Sequence, residues 1–480
     1  MNDARRVHPL SLLFGLLKSL KDLIIPVIAL GFLWRDYFLW TVLGVIVVII
    51  LIALSHLLSW WRFTYQIEDQ QLHIKQGVFV RKERYISRER IHSTDISETV
   101  LHQFFKVVKL KIETAGGKGE PEVALTAISK EEAVRIQTVL DDGVRRSPET
   151  DDGQSINQAE TTQQTARRWK LPSKHLWMMA ATSGGVWLII TGAFGFLSQF
   201  DQFFNSNVTQ QTLDYVLRLS YLFIGLLAIL LFIVLYGAAM IGTFLKYSQF
   251  VLEESNGQFK ISRGLLNKTS KAIDIDKIQA VRVQQSLIRQ LLGFVTVYVE
   301  SAGGSSKDEN VSTILVPFLH ENNVQAFLQD WLPSHVVHDE TAWERSPKRA
   351  VGRYILRTAW LPALGSIAFS IWLYPYGLLA LIVFIGAVLY GIRCHSAAAV
   401  RIHGDTMQFR YHGISKNYVT VRKRHIQSYT NKGTLFQKRP ELTNMSFAIM
   451  SNTSGKTFEV KDLEVETGGH AYKWFSRETE

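Results

Sequence analysis

One module is written three times along this chain: an apolar hairpin followed by a strand-rich, basic segment. Its clearest stretch runs from Gly77 to Gly117 and returns without a gap from Gly264 to Gly304. Across that window Gly77, Ile86, Ile91, Gln103, Val108, Glu113, Ala115, Gly116 and Gly117 recur as Gly264, Ile273, Ile278, Gln290, Val295, Glu300, Ala302, Gly303 and Gly304. Those are nine identities where about two or three arise by chance at average composition. Arg84/Lys271, Arg90/Lys277, Glu89/Asp276 and Phe104/Leu291 are conservative columns of the same alignment. A more divergent third copy starts at Gly413, with Val421 and Ile426 in the isoleucine columns and Gln437 further on. A repeat of this kind fixes the architecture before any single element is assigned.

The 480 residues fit three units of roughly 150 better than one core. A net charge of +11 would point to nucleic acid in a soluble protein. Here the positive residues collect beside apolar runs, where membrane anchoring wants them, so the sequence predicts no nucleic-acid partner. Cys394 is the single cysteine, which excludes an internal disulfide framework and predicts a juxtamembrane core residue.

The apolar runs predict six membrane helices in three hairpins. Residues 10–21 carry Leu10, Leu13, Phe14, Leu17 and Leu20 at helical spacing and read as an interfacial helix leading into the first. The first hairpin follows up to Trp61 and turns near Arg35–Trp40. The second uses Leu176–Leu197 and Leu213–Leu245; the third spans Tyr354–Ile392 and turns at Tyr374-Pro375-Tyr376. The outer turns carry at most Arg35. Arg5, Arg6, Arg62, Arg167, Arg168, Lys246, Lys348 and Arg393 crowd the opposite side. The positive-inside rule then puts both termini and all three polar segments in the cytoplasm of a multi-pass plasma-membrane protein. Ala238-x-x-x-Gly242 and Ala387-x-x-x-Gly391 suggest close helix approach.

Each polar segment reads as strands closed by a helix. Ser129 to Glu132 forms a capping box opening an amphipathic helix with Val134, Ile136 and Leu140. Val324, Phe327 and Leu328 mark the corresponding helix of the second segment. In the third, Phe458–Leu463 precedes a Gly468-Gly469 break and an aromatic tail. Residues 143–170 hold a polar, disordered linker, and 333–352 a shorter one.

Strands closed by one C-terminal helix behind a membrane hairpin resemble the bacterial pleckstrin-homology-like (PH-like) membrane family of the YdbT type. Arg6-Val7-His8-Pro9, Ile86 to Ile91, Gln103, Ala115-Gly116-Gly117 and, more closely, Ile273 to Ile278, Gln290-Leu291-Leu292-Gly293 and Ser301-Ala302-Gly303-Gly304 carry the resemblance. The third copy departs, being one residue shorter from Gly413 to Ile426 and placing Asn452-Thr453-Ser454-Gly455 where the glycine turn stood. The resemblance implies an α+β membrane protein. It would have three repeats of a two-helix transmembrane hairpin followed by a cytoplasmic PH-like antiparallel β domain closed by a C-terminal helix. The boundaries become 1–61 for the N-terminal segment and hairpin 1, 62–142 for PH-like domain 1, 171–246 for hairpin 2, 247–332 for domain 2, 353–393 for hairpin 3 and 394–480 for the divergent domain 3. It implies no established biochemical activity.

Motifs for chemistry are absent from the sequence. Fourteen scattered histidines form no His-Glu-x-x-His pair, and no P-loop, dinucleotide fingerprint or nucleophile elbow occurs. Glu113 and Glu300 recur before a glycine turn and are the most enzyme-like pair, though a structural role suits them better. The sequence therefore predicts a protein that is not an enzyme and takes no cofactor. It reads as a membrane scaffold that binds a second membrane protein or itself, serving envelope maintenance or defence; the alternative is a lipid- or peptide-handling transporter. Transporters place ionisable groups at the midplane, and these helices offer few. Contact with anionic lipid is expected from three basic sets: Arg81, Lys82, Arg84, Arg88 and Arg90; Lys268, Lys271, Lys277 and Arg282; Arg422, Lys423 and Arg424.

Overall fold

The structure is a computed structural model. It describes the chain apart from residues 1–4, 34–37, 69–70, 79, 88–90, 115–122, 142–166, 184–220, 256, 302–311, 337–341, 373, 375, 452–454 and 477–480. The chain falls into two units: Met1–Arg168 with Glu253–Ile275 and Gly303–Lys307, and Trp169–Leu252 with Asp276–Ala302 and Asp308–Glu480. The second strand-rich segment is divided between them.

The first unit begins with α1 (Leu10–Leu33) and α2 (Phe38–Arg62). The expected interfacial helix and first span are one continuous helix, which runs through Pro26. Its start is tied to the polar domain, since the Trp60 indole donates to Val7 O at 3.0 Å and His8 N to Ala127 O at 2.8 Å. Six strands follow: β1 (Thr64–Glu68), β2 (Gln71–Gln76), β3 (Lys82–Ser87), β4 (Ile91–Glu98), β5 (Val107–Thr114) and β6 (Val123–Ser129). A short helix α3 (Val100–Phe104) joins β4 to β5, and α4 (Lys130–Asp141) closes the segment. Glu132 N lies 3.2 Å from Ser129 Oγ, as the capping motif predicts. Alternation places Leu72, Ile74, Ile86, Leu110, Ile112 and Leu125 in one core against Ile136 of α4. Gly77 takes φ +109°, where a Cβ would strike the Val80 carbonyl; Gly264 repeats the geometry at φ +104°.

The strands of the two segments do not stay apart. After β7 (Arg167–Lys170) and β8 (Val251–Ser255), the second segment continues with β9 (Gln258–Arg263) and β10 (Lys268–Asp274). Within the first unit β10 pairs antiparallel with β4, giving the strand order β6-β5-β4-β10-β9.

The second unit holds α5 (Ser173–Ala181) and α6 (Tyr221–Tyr247). It continues with β11 (Ile278–Gln285), α7 (Leu287–Leu292), β12 (Phe294–Ser301), β13 (Thr313–His320) and α8 (Val324–Trp331). Then come β14 (Glu344–Arg345), α9 (Val351–Trp372) and α10 (Ala380–Ala397). The third segment contributes β15 (Ala399–His403), β16 (Thr406–His412), β17 (Lys416–Arg422), β18 (Ile426–Lys432), α11 (Leu435–Lys438), β19 (Leu442–Ile449), β20 (Lys456–Glu464) and α12 (Val465–Ser476). One seven-stranded sheet runs β13-β12-β11-β17-β16-β15-β14, and a second sheet runs β18-β19-β20. Phe409, Phe447, Phe458, Val460 and Leu463 fill the core between them.

By length and composition, three described helices can cross a membrane: Leu39–Arg62, Lys348–Trp372 and Ala380–Ala397. Phe232–Tyr247 is a shorter apolar helix. Most of the predicted second hairpin, and residues 143–166 of the predicted polar linker, lie outside the described residues, whereas Arg167–Lys170 of that linker form β7.

Two expectations are corrected, and the partner helix of one packing motif lies largely outside the described residues. Residues 333–352 are not a loose linker where described: His335 and Ser346 are buried, Glu344 and Arg345 pair with β15, and Arg401 stacks on Trp343 at 4.5 Å. Gly468-Gly469 does not break the last helix. A Cβ on Gly468 would meet the Asn431 side chain at 2.7 Å, so the glycine lets α12 press onto the sheet. Of the two small-residue motifs, Ala387-x-x-x-Gly391 packs as expected, with Gly391 against the Ile355 backbone and Thr358 Oγ1 donating to Ala387 O at 3.0 Å. Gly242 meets nothing within 4 Å among the described residues.

Candidate functional site

The joints between segments follow one register. Asp95 faces Lys271 and Glu98 faces Lys268 in β4–β10; Arg282 faces Val419 and Gln285 faces Lys416 in β11–β17. Carrying β4 onto β11 and β10 onto β17 by the sequence repeat superposes these partners residue for residue. A one-residue slip would turn every side chain to the wrong face, so the repeated register is a specified joint.

Gln103 and Gln290, recurrent in the sequence, act as pins at these joints. Each sits one turn into a short helix, on α3 or α7. Gln103 Nε2 donates to Leu266 O at 2.7 Å, in the β9–β10 turn. Gln290 Nε2 lies 3.1 Å from His412 Nε2, beside the β16–β17 turn, and also donates back to Gln285 O at 3.3 Å. His412 Nδ1 donates to Gly413 O at 2.9 Å, which leaves Nε2 free to accept. Burial, foremost, holds its imidazole below the ordinary value, in keeping with that neutral tautomer. Gln437 is not the third pin. It stands one residue earlier in α11 and turns inward, its amide 2.7 Å from both Asn444 Oδ1 and Asp462 Oδ1.

Glu300 is 0% exposed, and its Oε1 takes Lys456 Nζ at 2.6 Å and Arg282 Nε at 3.3 Å. Both cations also reach Ser312 Oγ, at 2.6 and 2.9 Å, and Arg282 lies 4.3 Å over the Tyr298 ring. A carboxylate enclosed by two cations in a sheet has no room for substrate, which gives it a structural part. The Glu113 side chain lies outside the described residues.

Asp462 is the second buried anion, at 0% exposure and φ +53°. Arg353 Nε and Arg357 Nη2, on the first turns of α9, donate to it at 2.8 and 2.9 Å. Ser346 Oγ and Tyr354 Oη donate to the Asp462 and Lys461 carbonyls at 2.6 and 2.5 Å. Burial alone would raise the Asp462 carboxyl, but donation from Gln437, Arg353 and Arg357 outweighs it and holds the group below the usual carboxylate range. A helix long and apolar enough to cross a membrane is thereby fastened to the third segment. Nothing in the repeat pattern signals this anchor, because its arginines and its acid lie 105 and 109 residues apart.

The basic residues expected at the membrane differ in exposure and in partners. Arg81, Lys82, Arg84, Lys268 and Arg424 are exposed. Arg81 pairs with Glu83 at 3.1 Å, and Arg424 donates to His425 Nε2 at 3.1 Å. Lys271, Lys277 and Arg422 are half-buried, and Lys423 lies 6.0 Å over the Trp474 ring. Arg282 is committed to Glu300, contrary to its reading as a lipid contact. Arg88 and Arg90 fall outside the described residues. Sequence reasoning missed the side chains that α3, α7 and α11 leave exposed. Their one signal was the Phe104/Leu291 column. Among the described residues no cluster of three or more His, Cys, Asp or Glu could hold a metal ion.

Antiparallel sheets closed by a helix and carried on apolar helices define a membrane-anchored PH-like protein. The Bacterial PH domain family model matches residues 14–144 and 204–335, so the chain belongs to that family. It is 31% identical to the UPF0699 transmembrane protein YdbT of Bacillus subtilis (strain 168), over all of this chain and 99% of that protein. The chain is thus a transmembrane protein of the YdbT family.

Proposed function

We propose that this protein is a non-catalytic scaffold of the plasma membrane. Three hairpin-plus-PH-like repeats hold its strand-rich segments in the cytoplasm, and its open sheet edge receives a strand from another chain. One observation carries the reading. β4 and β11 each pair with the third strand of the following segment, whereas β18, in the same place of the third segment, pairs only with β19 among the described residues. An edge that repeats two occupied joints is a template for strand addition. The enclosed environment of Glu300, held by Arg282 and Lys456, supports a structural part for the most enzyme-like of the recurrent acids. The positive residues beside the apolar runs support cytoplasmic termini.

Co-purification from mild detergent tests the reading. The wild-type chain should retain a stoichiometric protein partner, either a second copy or another membrane protein. Thr430→Lys, which places a charge on the open edge, should lose it. A chain that instead retains a lipid or peptide, and moves it across vesicles, supports the transporter reading and overturns the scaffold.

A further inference from the structure

The short helices α3, α7 and α11 each turn large apolar side chains outward. Phe104 is 80% exposed, Leu291 83% and Phe436 83%. Leu101, Leu287 and Leu435 stand beside them, also exposed. Elsewhere on these segments the outward strand residues are mainly polar, as in β18, where Gln427, Ser428, Asn431 and Lys432 are exposed. One exposed apolar side chain needs no explanation, but outward apolar side chains on all three of these short helices do.

Each of these helices is fastened to the first helix of its own hairpin, close to where that helix leaves the polar domain. The His102 ring of α3 stacks on Phe14 of α1 at 4.1 Å. Arg289 of α7 donates to Thr182, at the end of α5, at 3.3 Å. Arg353 Nη1 of α9 donates to Phe436 O of α11 at 3.0 Å. The turn pinned by the glutamine joint adds to the patch: Leu265 and Leu266 next to α3, and Ile414, 84% exposed, next to α7. The Tyr390 hydroxyl of α10 holds that second turn by donating to Gly413 O. Lys106 follows α3, and Lys438 and Arg439 lie at the end of α11, all exposed. Apolar tips flanked by cations at the mouth of a spanning helix match the boundary between headgroups and acyl chains.

We propose that α3, α7 and α11 dip their apolar side chains into the interfacial layer of the leaflet that the hairpins cross, so that the polar segments are held against the membrane. The inference rests on the membrane-anchored fold and is independent of the scaffold reading.

Depth-dependent quenching on the full chain tests it. Phe104→Cys, Leu291→Cys and Phe436→Cys are made singly in Cys394→Ala and labelled with bimane. The protein is reconstituted in vesicles of phosphatidylethanolamine and phosphatidylglycerol. Nitroxide lipids labelled near the top of the acyl chain should quench all three sites several-fold more than Glu459→Cys, on the exposed face of β20. Should a cysteine variant fail to fold, Leu101→Cys, Leu287→Cys or Leu435→Cys, exposed on the same helix, gives the same measurement in Cys394→Ala. Folded protein whose three sites are quenched no more than Glu459→Cys, and respond to aqueous iodide instead, overturns the proposal.

Discussion

The joint in the first unit and the joint in the second share a register but not a chemistry. In β4–β10, Asp95 stands opposite Lys271 and Glu98 opposite Lys268, in partly exposed positions. In β11–β17 the charge has moved inside: Arg282 turns to Glu300, and Lys456 of the third segment comes to the same carboxylate. Partly exposed cross-strand neighbours choose a partner at little cost, whereas an enclosed ion cluster makes each member depend on the others. The second joint should therefore be the harder to modify.

Glu300→Ala should show the largest effect, because it leaves Arg282 and Lys456 enclosed and unpaired. A loss of about 3–5 kcal/mol is expected. Asp95→Ala in the first joint should cost less than about 1 kcal/mol. Thermal unfolding of the full chain in detergent checks both, and equal costs would break the comparison. Ile278→Ala should follow at about 2–5 kcal/mol, since Ile278 is fully buried. Ile91→Ala, at the equivalent but half-buried position, should cost clearly less. Protease resistance of the two variants should rank the same way.

Acid should also act on the second unit. His335 is buried beside His425, Arg422 and Arg424, and burial followed by those charges pushes its imidazole down to about 3. The native state then binds fewer protons than the unfolded chain between pH ~3 and ~6.5, so the contribution is whole above that window and is lost as pH falls through it. Roughly 2 kcal/mol should go between pH 7 and pH 5. His335→Phe should flatten that slope in a melting-temperature profile. The pins should also show a small effect. Gln290→Ala should cost about 1 kcal/mol, and Gln103→Ala somewhat less, because it abandons a backbone carbonyl at an exposed turn. Hydrogen exchange at the β16–β17 and β9–β10 turns would resolve the two.

Much of this was legible in the chain. Ile86, Ile273 and Ile278 recur because a small β core admits few shapes, and all three are buried. Gly77 and Gly264 recur because their turns need positive φ. Gln103 and Gln290 recur for a reason the sequence could not supply, since their partners lie in the next segment. Gln437 shows the opposite hazard, a residue of the right type one position out of register and given over to Asp462.

The sequence by itself determined the repeat, the apolar spans and the alternation that builds each strand, because these are set by local spacing and by the solvent each face must meet. The pairing of β4 with β10 and of β11 with β17 was decided only in three dimensions. So were the meeting of Lys456 with Glu300 and the hold of Arg353 and Arg357 on Asp462. Each joins residues whose separation along the chain leaves no periodic trace. A polar side chain advertises its charge in the sequence, but whether that charge faces lipid, water or a buried partner depends on which strand the fold brings beside it.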